Sequence, residues 1–190
     1  MSNFVQGVWD DFWLHREEEE KLSRADNVHT VLVDGIVEEF ARITGNGLLK
    51  NACVSADFLS FKDFTIDTFN QLLQHLDIAF IGWKGSLSDP LIAAIEQVAQ
   101  RHKALIVITL GERGIQVFDA RQPGTFQSRF FKVEPVQIKG NTNGCGDAFI
   151  SYFLAEYWRN QNLESAIKQG KRGGAKATQW LHALPPIAYN

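Results

Sequence analysis

From Val28 onward, short apolar runs rich in β-branched residues alternate with stretches whose apolar positions recur every three or four residues. The first pattern predicts buried strands and the second amphipathic helices. Val28 to Val33, ending at Asp34-Gly35, predicts a buried strand and a turn, with His29 packed on that strand. Ile36, Val37, Phe40, Ala41 and Ile43 form a helical stripe over 36–44, stopped by Gly45-Asn46-Gly47. A strand is predicted over 52–56, a helix over 66–75 and a strand over 77–82. Ser88 or Asp89 caps the next helix, which carries Pro90 in its first turn and runs to about His102. Residues 104–109 are apolar on both faces and form the strongest strand pattern. Leu110-Gly111-Glu112-Arg113-Gly114 follows, then a strand over 115–118 and two more between Phe126 and Gln137. Beyond Gly140, a glycine-rich turn leads into two long helices, over about 146–160 and 163–182. At the other end, 4–13 reads as an edge strand or loop. Residues 15–24 read as a solvated helix, with Glu17 to Glu20 as a charged surface face.

Strand–helix alternation with two-sided apolar strands predicts an α/β fold: three αβα layers around a mostly parallel sheet. The closely spaced later strands predict antiparallel edge strands. No repeat or linker interrupts the chain, so a single domain is expected over 1–190. Ligands of such sheets sit at the carboxyl ends of strands, which points to the turns after Val33, Gly82, Thr109 and Lys139.

Composition narrows the function. A chain of 190 residues can bury a core without staples. Its 45% hydrophobic and 22% charged residues exclude disorder and coiled coil. A net charge of −3 speaks against a general nucleic-acid or anionic-membrane binder. No apolar run approaches the ~20 residues of a membrane span, and the opening residues have no leader pattern. Cys53 and Cys145 lack CxxC spacing, which predicts reduced thiols in a cytoplasmic protein. No zinc-type cluster and no G-x-S-x-G elbow is present.

The stretch richest in chemistry is Gly140-Asn141-Thr142-Asn143-Gly144-Cys145-Gly146-Asp147-Ala148-Phe149. Its glycines permit a tight turn. The helix that follows starts with amides pointing outward at the positive end of its dipole. That is an anion site suited to phosphate. Asp147 reads equally as a stabiliser of the helix start or as the base that takes a proton from an attacking hydroxyl. The Lys-Ser/Thr of a P-loop is missing. Asp34 reads as a turn-former or a ligand contact. Lys168, Lys171, Arg172 and Lys176 read as a solvated helix face or a contact to nucleotide phosphates.

Residues 142–149 resemble the D-T-x-G-A-G-D-x-F signature of the PfkB/ribokinase carbohydrate kinases. Residues 109–114 are similar to that family's T-x-G-x-x-G turn. Gly7 to Phe12, Val28-His29, His75 to Phe80 and Ala175 to Gln179 most resemble members that phosphorylate fructoselysine and other fructosamines. The resemblance implies a ribokinase-like kinase using ATP and Mg²⁺ on a sugar or sugar-amine hydroxyl. It implies Asp147 as the base and the amides of Gly144, Cys145 and Gly146 as the anion hole. Thr142 and Asn143 would line the phosphate end. Thr109, Gly111 and Gly114 would border the nucleotide, and Gly174 and Thr178 would flank adenine. Asp34 is a substrate candidate. No dedicated protein cage for a metal is expected.

The chain departs from the family pattern in four places. Asn141 stands where the signature opens with aspartate, removing a charge near phosphate and metal. Cys145 replaces a small alanine. Residues 83–89 lack the N-x-x-E element that helps hold magnesium through water. Finally, the chain reads as beginning inside the lid, with 1–14 a lid remnant, 104–182 the nucleotide part and roughly the N-terminal third absent. That predicts exposed sheet edges and association, as a homodimer or through such an edge. It also leaves a second functional expectation: a catalytically silent remnant serving as a nucleotide-binding or interaction module.

Overall fold

A computed structural model describes residues 12–182. Six strands form one sheet in the order β1 to β6: β1 Asn27–Val31, β2 Cys53–Asp57, β3 Ile78–Gly82, β4 Leu105–Thr109, β5 Ile115–Gln122 and β6 Thr125–Phe131. Strands β1 to β4 pair in parallel, and β5 and β6 add antiparallel. Helices α1 (Arg16–Leu22), α2 (Asp34–Gly45), α3 (Ile66–Leu73) and α4 (Pro90–His102) lie before and between the parallel strands, and α5 (Cys145–Asn160) and α6 (Leu163–Ala177) close the chain. The structure thus shows the expected mostly parallel sheet with flanking helices.

The described chain divides into two compact units. The first holds residues 12–110 and Ile115–Phe131, which is the whole sheet and α1 to α4. One sheet face presents Ala56, Ala79, Ile81, Ile106 and Ile108 to Phe40 and Ile43 of α2, Phe69 and Leu73 of α3, and Ile95 and Val98 of α4. Phe58, Phe61, Phe64 and Phe69 join this core with ring centroids 4.8–6.2 Å apart. On the opposite face Ile78, Phe80, Leu105, Val107 and Val117 are also buried, which explains why β3 and β4 read as unbroken apolar runs. The helix starts follow the local chemistry. Thr65 accepts from the Thr68 amide ahead of α3, and Asp89, rather than Ser88, accepts from the Leu91 amide ahead of Pro90.

Two expectations change here. Strand β1 is not buried on both faces: Asn27, His29 and Val31 are exposed. Among the described residues it pairs only with β2, and His29 engages Ser55 Oγ through Nδ1 at 2.9 Å and meets the edge of Phe80. Of the two strands expected between Phe126 and Gln137, one forms, as β6; 132–138 carries no ladder.

The second unit holds Gly111–Gly114 and residues 132–182. Its body is the α5–α6 pair. Phe149, Phe153 and Tyr157 stack along α5. Gly170 and Gly173 of α6 let that helix approach closely: a Cβ on Gly173 would lie 2.5 Å from the Ala148 carbonyl oxygen. Asn162 caps α6 by accepting from the Ser165 amide. Helix α6 ends at Ala177 rather than continuing to 182, because the chain beyond it pairs with residues 139–141 instead. The expected lid remnant over 1–14 falls mostly outside the described residues. Of its end, Trp13 lies under the Arg42 guanidinium at 4.9 Å, and the Leu14 amide donates to Glu39 Oε1 at 2.9 Å.

Candidate functional site

The glycine-rich turn and the start of α5 lie together in the second unit. Gly144 is the N-cap of α5 and takes the left-handed conformation (φ 77°) that glycine adopts without strain. Its carbonyl accepts from the Ala148 amide at 2.9 Å, and the Cys145 amide donates to the Thr142 carbonyl at 3.3 Å. No side chain caps the helix. The amides of Gly144, Gly146 and Asp147 therefore have no acceptor among the described residues. Three open N–H groups at the start of a 16-residue helix offer an anion their hydrogens and the positive end of the dipole. This differs from the resemblance in one respect. The Cys145 amide is engaged within the turn, and the Asp147 amide, which the sequence did not single out, is open.

The Asp147 side chain is exposed and accepts no hydrogen bond from the described residues; only its backbone carbonyl is used, by Ser151 Oγ. It is thus not spent on stabilising the helix start through a cap. Cys145 is half-buried, and burial pushes its thiol pKa up, so it stays a neutral thiol beside the turn.

Asn143 and Thr142 are exposed on the turn, with the Asn143 amide donating to Asn141 Oδ1 at 2.7 Å. Gly174 faces the same helix start: a Cβ there would sit 3.4 Å from the Cys145 carbonyl oxygen. Thr178 is buried, its hydroxyl donating to the Ala175 carbonyl and accepting from Gln179 Nε2. Gly111 (φ 65°) and Gly114 (φ 127°) bound a single 3-10 turn in conformations only glycine takes freely. Of the basic residues of α6, Lys171 pairs with Glu134 at 3.1 Å and Lys176 donates to the Tyr152 hydroxyl.

Thr109 and Asp34 belong to the first unit. Thr109 ends β4 opposite Gly82 and Ile115. Its hydroxyl leans on the Ile81 carbonyl and its own carbonyl accepts from the Trp83 amide. Asp34 opens α2, directly after β1. In 83–89, where the acidic element was missing, Trp83 Nε1 donates to the Ser86 carbonyl, and Ser86 and Ser88 share a hydrogen bond. Among the described residues no three His, Cys, Asp or Glu side chains converge to hold a metal ion, and no helix is long and apolar enough to cross a membrane.

Fructoselysine 6-kinase of Escherichia coli (strain K12) is 28% identical over 181 residues, covering 94% of this chain and 64% of that protein. A cytidine kinase of Thermococcus kodakarensis is 31% identical over 134 residues, covering 64% of this chain and 45% of that protein. The chain therefore spans less than two thirds of the length of these relatives. Among solved structures, adenosine kinase of Schistosoma mansoni superposes with a TM-score of 0.74 at 19% identity, over 90% of this chain and 56% of that one. A microbiome-derived acarbose kinase gives 0.69 at 18% identity, over 92% and 57%. Residues 16–184 match the profile of the pfkB family carbohydrate kinases, and the chain belongs to that family.

Proposed function

We propose that this protein catalyses, or supplies the phosphate-handling part of, ATP-dependent phosphorylation of a sugar or sugar-amine hydroxyl. The observation that carries the reading is the start of α5: three open amides beside an exposed, uncommitted Asp147 carboxylate. Phosphoryl transfer needs positioning and charge stabilisation more than covalent chemistry. In this reading the amides of Gly144, Gly146 and Asp147 hold the transferred group, and the Asp147 carboxylate takes the proton of the attacking hydroxyl. Gly111 and Gly114 supply the nucleotide turn, and Thr109, Asn143, Gly174 and Thr178 border the nucleotide, several through backbone, since the Thr178 hydroxyl is already engaged. Mg²⁺ would arrive on the phosphates and keep water ligands. A sugar amine such as fructoselysine is the substrate class suggested by a relative that covers 94% of this chain, and Asp34 is its candidate contact.

The test is ADP release from MgATP with a sugar panel that includes fructoselysine, comparing wild type with Asp147→Asn. Removing a general base lowers the rate about 10²–10⁴-fold. Sugar-dependent turnover that collapses in the variant supports the kinase. Folded wild type with turnover no higher than the variant's sinks it, and leaves the second reading, a silent nucleotide-binding or interaction module.

A further inference from the structure

We infer that Asn141 is a positioning residue, a neutral amide clip that fastens the anion turn to the chain leaving α6 and that works only with a hydrogen-bond donor at this position. The Asn141 side chain donates through Nδ2 to the Leu181 carbonyl at 2.8 Å and to the Trp180 carbonyl at 3.4 Å. Its Oδ1 accepts from the Asn143 amide at 2.7 Å. Its backbone amide donates to the Trp180 carbonyl at 3.3 Å. Alongside, the Lys139 and Gly140 amides donate to the Thr178 carbonyl, and Gln179 Nε2 donates to the Gln137 carbonyl. The fit is close: a Cβ on Gly140 would lie 1.7 Å from the Trp180 oxygen.

The chemistry of this clip distinguishes asparagine from the aspartate with which the resembling signature opens. An amide donates and accepts at once, whereas an ionised carboxylate only accepts. An aspartate here would keep the Asn143 bond and turn a negative oxygen toward two carbonyl oxygens. Holding Asn143 fixes the approach to Gly144, and so the direction of the open amides of Gly146 and Asp147. The clip also ties that turn to the end of α6, where Gly174 and Thr178 lie. Residue 141 thereby sets the phosphate turn without touching the phosphate. The part of this inference that concerns ATP rests on the kinase reading; the clip itself does not.

The experiment uses the full 190-residue chain as wild type, Asn141→Asp and Asn141→Ala, with two readouts: the melting temperature without nucleotide from pH 3 to 8 and the affinity for MgATP at pH 8. Lys139, His182, Cys145 and Asp147 are the titratable groups on the joined segments. All are common to the three proteins, so differences isolate residue 141. A protonated carboxyl has one donor and one acceptor and mimics the amide. The Asn141→Asp deficit in melting temperature is therefore expected to vanish as pH falls below the ordinary aspartate value of about 4 and to grow as the carboxyl ionises above it. The deficit in MgATP affinity at pH 8 should be roughly tenfold, the effect of one hydrogen bond replaced by an unpaired acceptor. The Asn141→Ala deficit is expected at every pH. An Asn141→Asp protein that matches wild type throughout, or whose deficit does not shrink on acidification, overturns the inference. Variants that melt with this pattern beside a wild type that binds no MgATP uphold the clip and remove the kinase reading instead.

Discussion

The two units fasten distant chain segments with opposite chemistry. In the first, residues 13–19 are tied to α2 by charge. The buried Glu39 accepts from Arg42 Nε and Nη2 and from the Leu14 amide, and Arg42 reaches on to Glu19 and stacks over Trp13. In the second, 139–143 is tied to 178–181 by one neutral amide and backbone bonds. The cores differ in the same way. The first unit is filled by large rings, Phe58, Phe61, Phe64 and Phe69. At the start of α5 the second is shaped by what is absent, the side chains of Gly140 and Gly173. The contrast is one of ties: charge and packed rings hold the first unit's segments, whereas neutral groups hold the turn before α5 and leave its open amides without a competing charge.

The contrast can be broken first by emptying the ring core. Phe69 is fully buried against the Phe58 and Phe61 rings, and Phe69→Ala is expected to destabilise the first unit by about 3–5 kcal/mol. Chemical denaturation with hydrogen exchange on β2 to β4 checks this; a loss below about 1 kcal/mol would mean that the cluster relaxes into the gap. The second unit should fail in the reverse direction, by gain of volume. Alanine normally favours a helix over glycine by about 1 kcal/mol, but a Cβ at 173 would meet the Ala148 carbonyl and the Tyr152 ring at 2.5–2.8 Å. Overpacking of this kind costs about 1–3 kcal/mol, so Gly173→Ala is expected to be net destabilising and to disturb the first turn of α5. A higher melting temperature would refute the close approach.

The smallest effect sharpens the comparison through pH. The Arg42 hydrogen bond holds the Glu39 pKa below its usual carboxylate range against the opposing effect of burial. A depressed folded-state pKa contributes stability above the unfolded value of about 4.5 and loses it as pH falls through the folded one. Glu39→Gln should therefore melt below wild type at pH 7 and converge with it in acid. The wild-type clip at Asn141 has no titrating atom and should show no such loss. The Asn141→Asp variant should show the opposite trend, improving in acid. Parallel curves for Glu39→Gln and wild type across pH 3–7 would remove Glu39 as the titrating tie.

Much of this was legible along the chain. The stripe Ile66, Phe69, Leu72 and Leu73 predicts α3, and Asp89-Pro90 predicts the start of α4. The glycines at 144 and 146 mark the tight turn into α5, since a left-handed cap followed by an apolar helix is a short-range pattern. Other features were not legible. The exposure of Asn27, His29 and Val31 depends on which strands flank β1, not on their own apolar neighbours. The end of α6 at Ala177 depends on a competing partner for the residues beyond it, although their sequence continues a helical pattern. The open Asp147 amide follows from the absence of a side-chain cap, visible only in the assembled turn.

By itself, then, the chain's sequence determined the order and type of most of its elements and the place of its glycine-rich turn, because backbone preference and apolar periodicity act within a few residues. Only the tertiary structure decided which amides stay open, where α6 stops and why residue 141 is an amide. The hydrogen bonds that settle those questions join residues 39 and 40 positions apart, and chain closure, not local propensity, brings such groups within reach.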